Sequence, residues 1–62
     1  MEQKKAVVKF IDALDRAVLL TEDNETIVLY PPINGQVRVG FEVEIMRAKG
    51  HRRMSDWCLV TS

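Results

Sequence analysis

The chain has 62 residues, with nine lysines or arginines balanced by nine acidic residues, and 47% of its residues are hydrophobic. This balance is typical of a globular protein rather than a disordered one, and the length allows a single domain over residues 1–62. The longest apolar runs cover only residues 17–20 and 27–30, whereas a membrane helix needs about 20 residues, so no membrane association is expected.

The single cysteine, Cys58, cannot form an internal disulfide, although small secreted domains usually depend on several. Lys9 and Asp12 interrupt the apolar stretch that a signal peptide would need. We therefore expect a cytoplasmic protein that begins at its native methionine, with Cys58 as a small buried hydrophobe. Because a domain this small often gains stability by self-association, we also expect a homodimer or a higher oligomer.

The N-terminal segment allows two interpretations. Apolar residues from Val7 to Val18 recur at helical spacing, which is typical of an amphipathic helix over residues 4–20. No N-cap residue precedes the segment, however, and its β-branched and aromatic residues favour a strand over residues 5–11. A turn over residues 12–16 would follow, with two aspartates able to accept hydrogen bonds from nearby backbone amides. We favour the strand.

Two β-prone segments follow, over residues 17–21 and 26–30, joined by a polar turn over residues 22–25. This spacing predicts a hairpin. Pro31 and Pro32 remove two hydrogen-bond donors and should end the second strand or place it on a sheet edge. Tyr30 is the best candidate for an exposed aromatic residue.

Strict alternation of apolar and other residues over residues 36–46 predicts a half-buried strand, with Gly40 bending or breaking it. Asn34-Gly35, just before it, is the preferred pair for a tight hairpin turn. Residues 56–61 look like a closing strand, separated from the preceding one by the longest connection, residues 49–55. Phe10 and Phe41 are assigned to the core.

These elements predict an all-β fold, a small five-stranded barrel of the SH3-like or OB-like kind, which removes exposed sheet edges. The alternative is an α+β fold, in which the helix over residues 4–20 packs on a three- to four-stranded antiparallel sheet. The strand spacing over residues 10–33 resembles that of Sm-like barrels, and the segment that follows departs from that pattern.

Residues 47–53 contain four of the nine basic side chains and the only histidine, with no acidic residue. In single-strand binders, cations follow the phosphates while an aromatic residue stacks on a base. The segment therefore predicts a non-enzymatic module that binds nucleic acid weakly and without sequence preference. The candidate residues are Arg47, Lys49, His51, Arg52, Arg53 and Trp57, with Lys4, Lys5 and Lys9 as additions.

Two observations oppose this interpretation. Charge runs commonly mark a solvated loop, and Trp57 alternates with Leu59, which favours a place in the core. Zero net charge also favours an alternative function, because general nucleic-acid binders are usually basic. In that alternative the domain is a small adaptor or inhibitor, of an accessory or phage type. Its basic loop docks on an acidic surface of a larger protein, and an open strand edge extends the partner's sheet.

The acidic residues concentrate between Asp12 and Glu25. We interpret them as turn and cap residues, with head-to-tail association of acidic turns and basic loop as the alternative.

Residues His51, Ser55 and Asp56 include the residue types of a hydrolase triad, but succession in one loop does not supply triad geometry. No cofactor or metal site is expected, because His51 and Cys58 are too few for structural zinc and the glycines form no phosphate loop.

Overall fold

A computed structural model of the protein describes residues 2–50 and 52–60, and within these residues the fold is all-β with no α-helix. Five antiparallel strands form one sheet in the order β3-β2-β1-β4-β5, curled into a half-barrel. The described strands are β1 (Glu2–Ile11), β2 (Ala17–Thr21), β3 (Thr26–Val28), β4 (Glu42–Arg47) and β5 (Cys58–Leu59), with a short 3₁₀ turn at Met54–Asp56 before β5. The predicted N-terminal strand is confirmed, and the helix over residues 4–20 is wrong.

β1 is the central strand, and a bulge changes the face on which its side chains lie. Ala6 and Val8 are buried before the bulge, and the register with β2 shifts between Val8 and Phe10. After the shift Ile11 packs against the core, while Phe10 is 54% exposed. An extra residue in one strand reverses the facing of everything that follows. The assignment of Phe10 to the core is therefore wrong.

The turn after β1 is closed by the carboxylate of Asp12, as predicted, whereas the carboxylate of Asp15 bonds to a residue outside the turn. One carboxylate oxygen of Asp12 accepts hydrogen bonds from the backbone amides of Leu14 and Arg16, both at 2.9 Å. Asp15 adopts a positive φ of 62° and accepts a hydrogen bond from the amide of Asn34 at 2.9 Å. The second bond ties this turn to the connection between β3 and β4.

The predicted hairpin of residues 17–30 is also present, although β3 ends at Val28. The buried hydroxyl of Thr21 organises its turn: it accepts a hydrogen bond from the amide of Glu25 at 2.9 Å and donates one to the carboxylate of Asp23. Asn24 supplies the positive φ, 65°, that the turn requires. Asp23 and Asp12 are thus turn residues, as expected for acidic side chains in this stretch.

The predicted strand over residues 36–46 is wrong in its first half, because β4 begins at Glu42. Residues 29–41 form the longest connection between described strands, instead of residues 49–55. Asn34 and Gly35 do form a tight turn with two positive φ angles, 50° and 78°, but inside this connection rather than between two strands. A second turn brings the amide of Phe41 to the carbonyl of Arg38.

This long connection supplies the core with side chains, although residues 29–41 contain no strand. Ile33 and Val37 are buried in the same cluster as the strand residues, so the alternation in the sequence marked Val37 correctly. Val39 and Phe41 remain outside, with Phe41 48% exposed. Phe41 is therefore not a core residue, contrary to expectation. The buried apolar residues are Ala6, Val8, Ala17, Leu19, Ile27, Leu29, Ile33, Val37, Ile45 and Trp57.

The closing strand is shorter than predicted. β5 has two residues within the described part, and Thr61 of the predicted strand lies outside it. Trp57 is 3% exposed and Leu59 is partly buried against the same core, so the assignment of Trp57 to the core is confirmed. Cys58 faces away and is exposed, and its assignment as a buried hydrophobe is wrong.

Candidate functional site

The basic loop, residues 47–53, begins where β4 ends. Because β4 runs antiparallel to β1 and Arg47 pairs with Glu2, the loop lies at the end of the sheet where β1 starts. Lys49, Arg52 and Arg53 are exposed there. A shallow, open depression of about 340 Å³ is lined by Gly50, Arg52, Arg53 and Asp56. His51, a predicted site residue, lies outside the described residues.

The positive φ of Gly50, 86°, and a 3₁₀ turn fix the shape of the loop. A carboxylate oxygen of Asp56 accepts a hydrogen bond from the backbone amide of Arg53 at 3.0 Å, and the amide of Asp56 donates to the carbonyl of Arg53 at 3.0 Å. The backbone of Arg53 is therefore held by Asp56. Within the described part of the chain, the side chains of Lys49, Arg52 and Arg53 form no ion pair.

Arg47 differs from the other three cations of the loop. Its Nη2 and Nε atoms donate to one carboxylate oxygen of Glu2 at 2.6 and 3.0 Å. Its guanidinium carbon lies 4.4 Å from the centre of the Trp57 ring, and the side chain is only 18% exposed. Arg47 thus anchors the base of the loop to β1 and to the core, and a phosphate would have to compete with Glu2 for its charge.

Trp57 is brought next to the loop by the fold but is not available as a stacking surface. It is buried, and the ammonium nitrogen of Lys4 lies 5.9 Å from its ring centre, in addition to the contact with Arg47. A nucleobase could stack on this ring only if it left the core. Among described residues, Tyr30 is an exposed aromatic, as predicted. The guanidinium carbon of Arg16 lies 4.9 Å from the centre of its ring.

The three lysines of β1 do not extend the basic loop. Lys4 forms ion pairs with Asp23, at 3.1 Å, and with Glu25. Hydrogen bonds to these two carboxylates, first Glu25 and then Asp23, raise the pKa of Lys4 above its ordinary value. Lys5 and Lys9 are exposed and line a depression on the sheet that also contains glutamates.

The pKa of Asp23 is lowered from its ordinary 3.8 by the hydrogen bond from Thr21 and then by the one from Lys4. A lowered carboxyl pKa stabilises the folded state fully above pH 3.8, and this contribution is lost as pH falls through the folded pKa. We expect Asp23→Asn to weaken the acid dependence of stability below pH 4, measured by urea unfolding from about pH 2 to pH 7. Identical acid profiles for the two proteins would contradict this role of Asp23.

An apolar crevice of about 180 Å³ lies between β5 and the connection that follows β3. It is lined by Leu29, Pro31, Pro32, Ile33, Gln36, Cys58 and Leu59. β3 and β5 are the edge strands of the sheet as described, and the crevice lies beside the edge of β5. At another point β3 contacts the 3₁₀ turn.

Within the described residues, no group of three or more histidine, cysteine or acidic side chains is arranged to hold a metal ion. Ser55 and Asp56 of the triad types lie on the 3₁₀ turn, and their supposed partner His51 lies outside the described residues. The part of the chain that the structure describes contains no helix with the length and hydropathy of a membrane span.

No family model matches the sequence, and comparisons with curated proteins and with solved structures found no significant match. The function is therefore argued from the geometry of the loop, the crevice and the sheet faces.

Proposed function

We propose that the domain is a non-enzymatic binding module whose basic loop binds the phosphate backbone of nucleic acids weakly and without sequence preference. The observation that supports this function is that Arg52 and Arg53 line one open depression, that Lys49 is exposed in the same loop, and that none of the three forms an ion pair with a described residue. Cations that are already hydrated and unpaired can bind phosphate without first breaking an intramolecular contact. Gly50 lets the backbone approach the ligand closely.

The geometry also limits the strength of such binding. Arg47 is paired with Glu2, so about three phosphate contacts remain for the loop. With Trp57 buried, no base stacking adds to them, and stacking is worth about 1–3 kcal/mol per base where it occurs. Binding then depends almost wholly on charge, which explains why no sequence preference is expected.

The finer fold assignment belongs to the same proposal. We take the curled five-stranded sheet to be a small barrel of the SH3-like or OB-like kind, a class that presents ligand-binding loops at one end of the strands. The order β3-β2-β1-β4-β5 and the position of the basic loop at a strand end support this assignment.

The proposal is tested by fluorescence anisotropy with labelled single-stranded and duplex oligonucleotides at several salt concentrations. Three phosphate contacts predict that log K falls against log salt with a slope of about −2 to −3, since each contact contributes roughly 0.7 to 0.9. Arg52→Ala/Arg53→Ala should reduce the slope by about 1.5 and weaken binding at least tenfold at low salt.

A matched control is Lys9→Ala/Arg38→Ala, which removes the same charge from exposed positions away from the loop. This variant should bind like the unmodified protein. No binding of either oligonucleotide at low salt, or equal losses in the two double variants, would overturn the proposal.

A second candidate function is that of a protein-binding adaptor, and the edge of β5 favours it. Cys58 pairs with Met46, and the amide of Val60 donates to the carbonyl of Glu44. In an antiparallel ladder the intervening residue, Leu59, then directs its backbone groups away from β4 and towards the open edge, beside the apolar crevice. An extended segment of a partner could add there as a strand, with a side chain in the crevice. Capture of the same partner before and after nuclease treatment of a lysate would separate this function from the first.

A further inference from the structure

The second strand of the sheet is apolar on both of its faces. Ala17 and Leu19 are buried in the core, while Val18 and Leu20 lie on the opposite face, half-buried. Continuous apolar runs are typical of strands that are covered on both sides, whereas a sheet with one wet face alternates apolar and polar residues. The extensive contacts between described elements join sheet neighbours and join β3 to the 3₁₀ turn, so no other described strand or 3₁₀ turn packs across this face.

The apolar surface continues across to β1. Val7 stands opposite Leu20, and Phe10, displaced by the bulge, stands opposite Val18. Directly opposed side chains on one face of an antiparallel pair lie about 4.5–5.5 Å apart at their Cβ atoms, so the two pairs form one strip. We call Val7, Phe10, Val18 and Leu20 the outer face. Phe10 is its most exposed member, at 54%.

The charges that line the cleft beside the outer face balance each other. A cleft of about 210 Å³ on this side of the sheet contains Val7 and Leu20 and is also lined by two lysines, Lys5 and Lys9, and two glutamates, Glu22 and Glu42. A nucleic acid or a strongly acidic protein would meet the glutamates, and a strongly basic protein would meet the lysines. A rim with both signs in equal number is complementary to itself when a two-fold axis brings each lysine pair over the other copy's glutamates.

We propose that the outer face is a dimer interface, occupied by the same face of a second copy of this chain. The zero net charge of the chain allows two copies to approach without long-range repulsion. The basic loop is not part of the interface, so this proposal does not depend on nucleic-acid binding. Two strands about 4.8 Å apart bury less than the roughly 800 Å² per partner of a standard interface, so we expect a weak dimer whose dissociation constant lies between about 1 µM and 1 mM.

Sedimentation equilibrium from about 1 µM to about 1 mM protein brackets that constant. The apparent mass should rise from the monomer's 7.1 kDa towards twice that value. Two charge-reversal variants then identify the surface: Lys5→Glu/Lys9→Glu makes the rim wholly acidic, and Glu22→Lys/Glu42→Lys makes it wholly basic. Each alone should remain monomeric through at least a tenfold higher concentration, and an equimolar mixture of the two should recover a heterodimer.

Lys49→Glu/Arg52→Glu is the matched control, because it changes net charge as much as Lys5→Glu/Lys9→Glu but alters only the basic loop. It should dimerise like the unmodified protein, and circular dichroism of all variants shows that the strands are retained. A monomer at every concentration would overturn the proposal. So would a dimer that survives both charge reversals, or variants whose mixture does not reassociate.

Discussion

Trp57→Ala should leave the domain largely unfolded at 25 °C, or lower its melting temperature by about 15 °C or more. Trp57 is 3% exposed, and truncation of a buried tryptophan costs about 3–5 kcal/mol. A chain of this length has a total stability of only about 3–9 kcal/mol. The change also removes the ring on which the guanidinium of Arg47 lies, a contact worth about 0.5–2 kcal/mol. Thermal unfolding followed by far-ultraviolet circular dichroism measures the loss.

Trp57→Phe is the control that separates a core role from a role in base stacking. Phenylalanine keeps an apolar ring beneath Arg47, so most of the stability should remain, and the affinity for oligonucleotides should not change. A variant that is as stable as the unmodified protein but binds at least tenfold more weakly would show that the ring contacts a base. That result would mean that Trp57 belongs to the nucleic-acid binding site.

The features that were predicted correctly are local ones. The aspartate turn at Asp12, the hairpin turn over residues 22–25 and the positive φ angles at Asn34-Gly35 all depend on hydrogen bonds between residues within four positions of each other. Side chains that cap neighbouring amides do so in most folds. The strand interpretation of β1 succeeded for a related reason, because β-branched residues in sequence favour extended backbone.

The errors arose where a pattern reports burial rather than strand pairing. Apolar alternation over residues 36–46 correctly marked Val37 and Ile45 as buried, but Val37 lies in a connection and not in a strand. The bulge between Val8 and Phe10 left no signal in the sequence, and it moved Phe10 to the outer face. Both features depend on how β1 pairs with its neighbours.

In the candidate site, too, the local features were predictable from the sequence and the long-range contacts were not. The clustering of Lys49, Arg52 and Arg53 is a property of the sequence and needs no fold. The partner of Arg47 does need one, because Glu2 lies 45 residues away and meets Arg47 only through the register of β1 with β4. Lys4 likewise meets Asp23 and Glu25 only once the hairpin is formed beside β1. Long-range pairing therefore removed two of the predicted phosphate contacts.

Leu19→Ala should destabilise the domain by about 2–5 kcal/mol, the usual cost of truncating a fully buried leucine. Leu19 is 0% exposed and lies at the centre of β2, opposite Val8 and Ile27 on the two neighbouring strands. The surrounding β-sheet cannot collapse into the vacated volume without changing its register. Urea unfolding at low protein concentration, with Trp57 fluorescence as the probe, measures this cost for the monomer.

Leu20→Ala, one residue along, is the matched control because it makes the same chemical change on the other face of the same strand. Its side chain is only half-buried in the monomer, so the loss of monomer stability should be about 1 kcal/mol or less. If the outer face is a dimer interface, Leu20→Ala should instead raise the dissociation constant of the dimer about tenfold, corresponding to about 1.4 kcal/mol. Equal costs for the two alanines at low concentration would mean that β2 is covered on both faces within one chain. The outer face would then have no role in association.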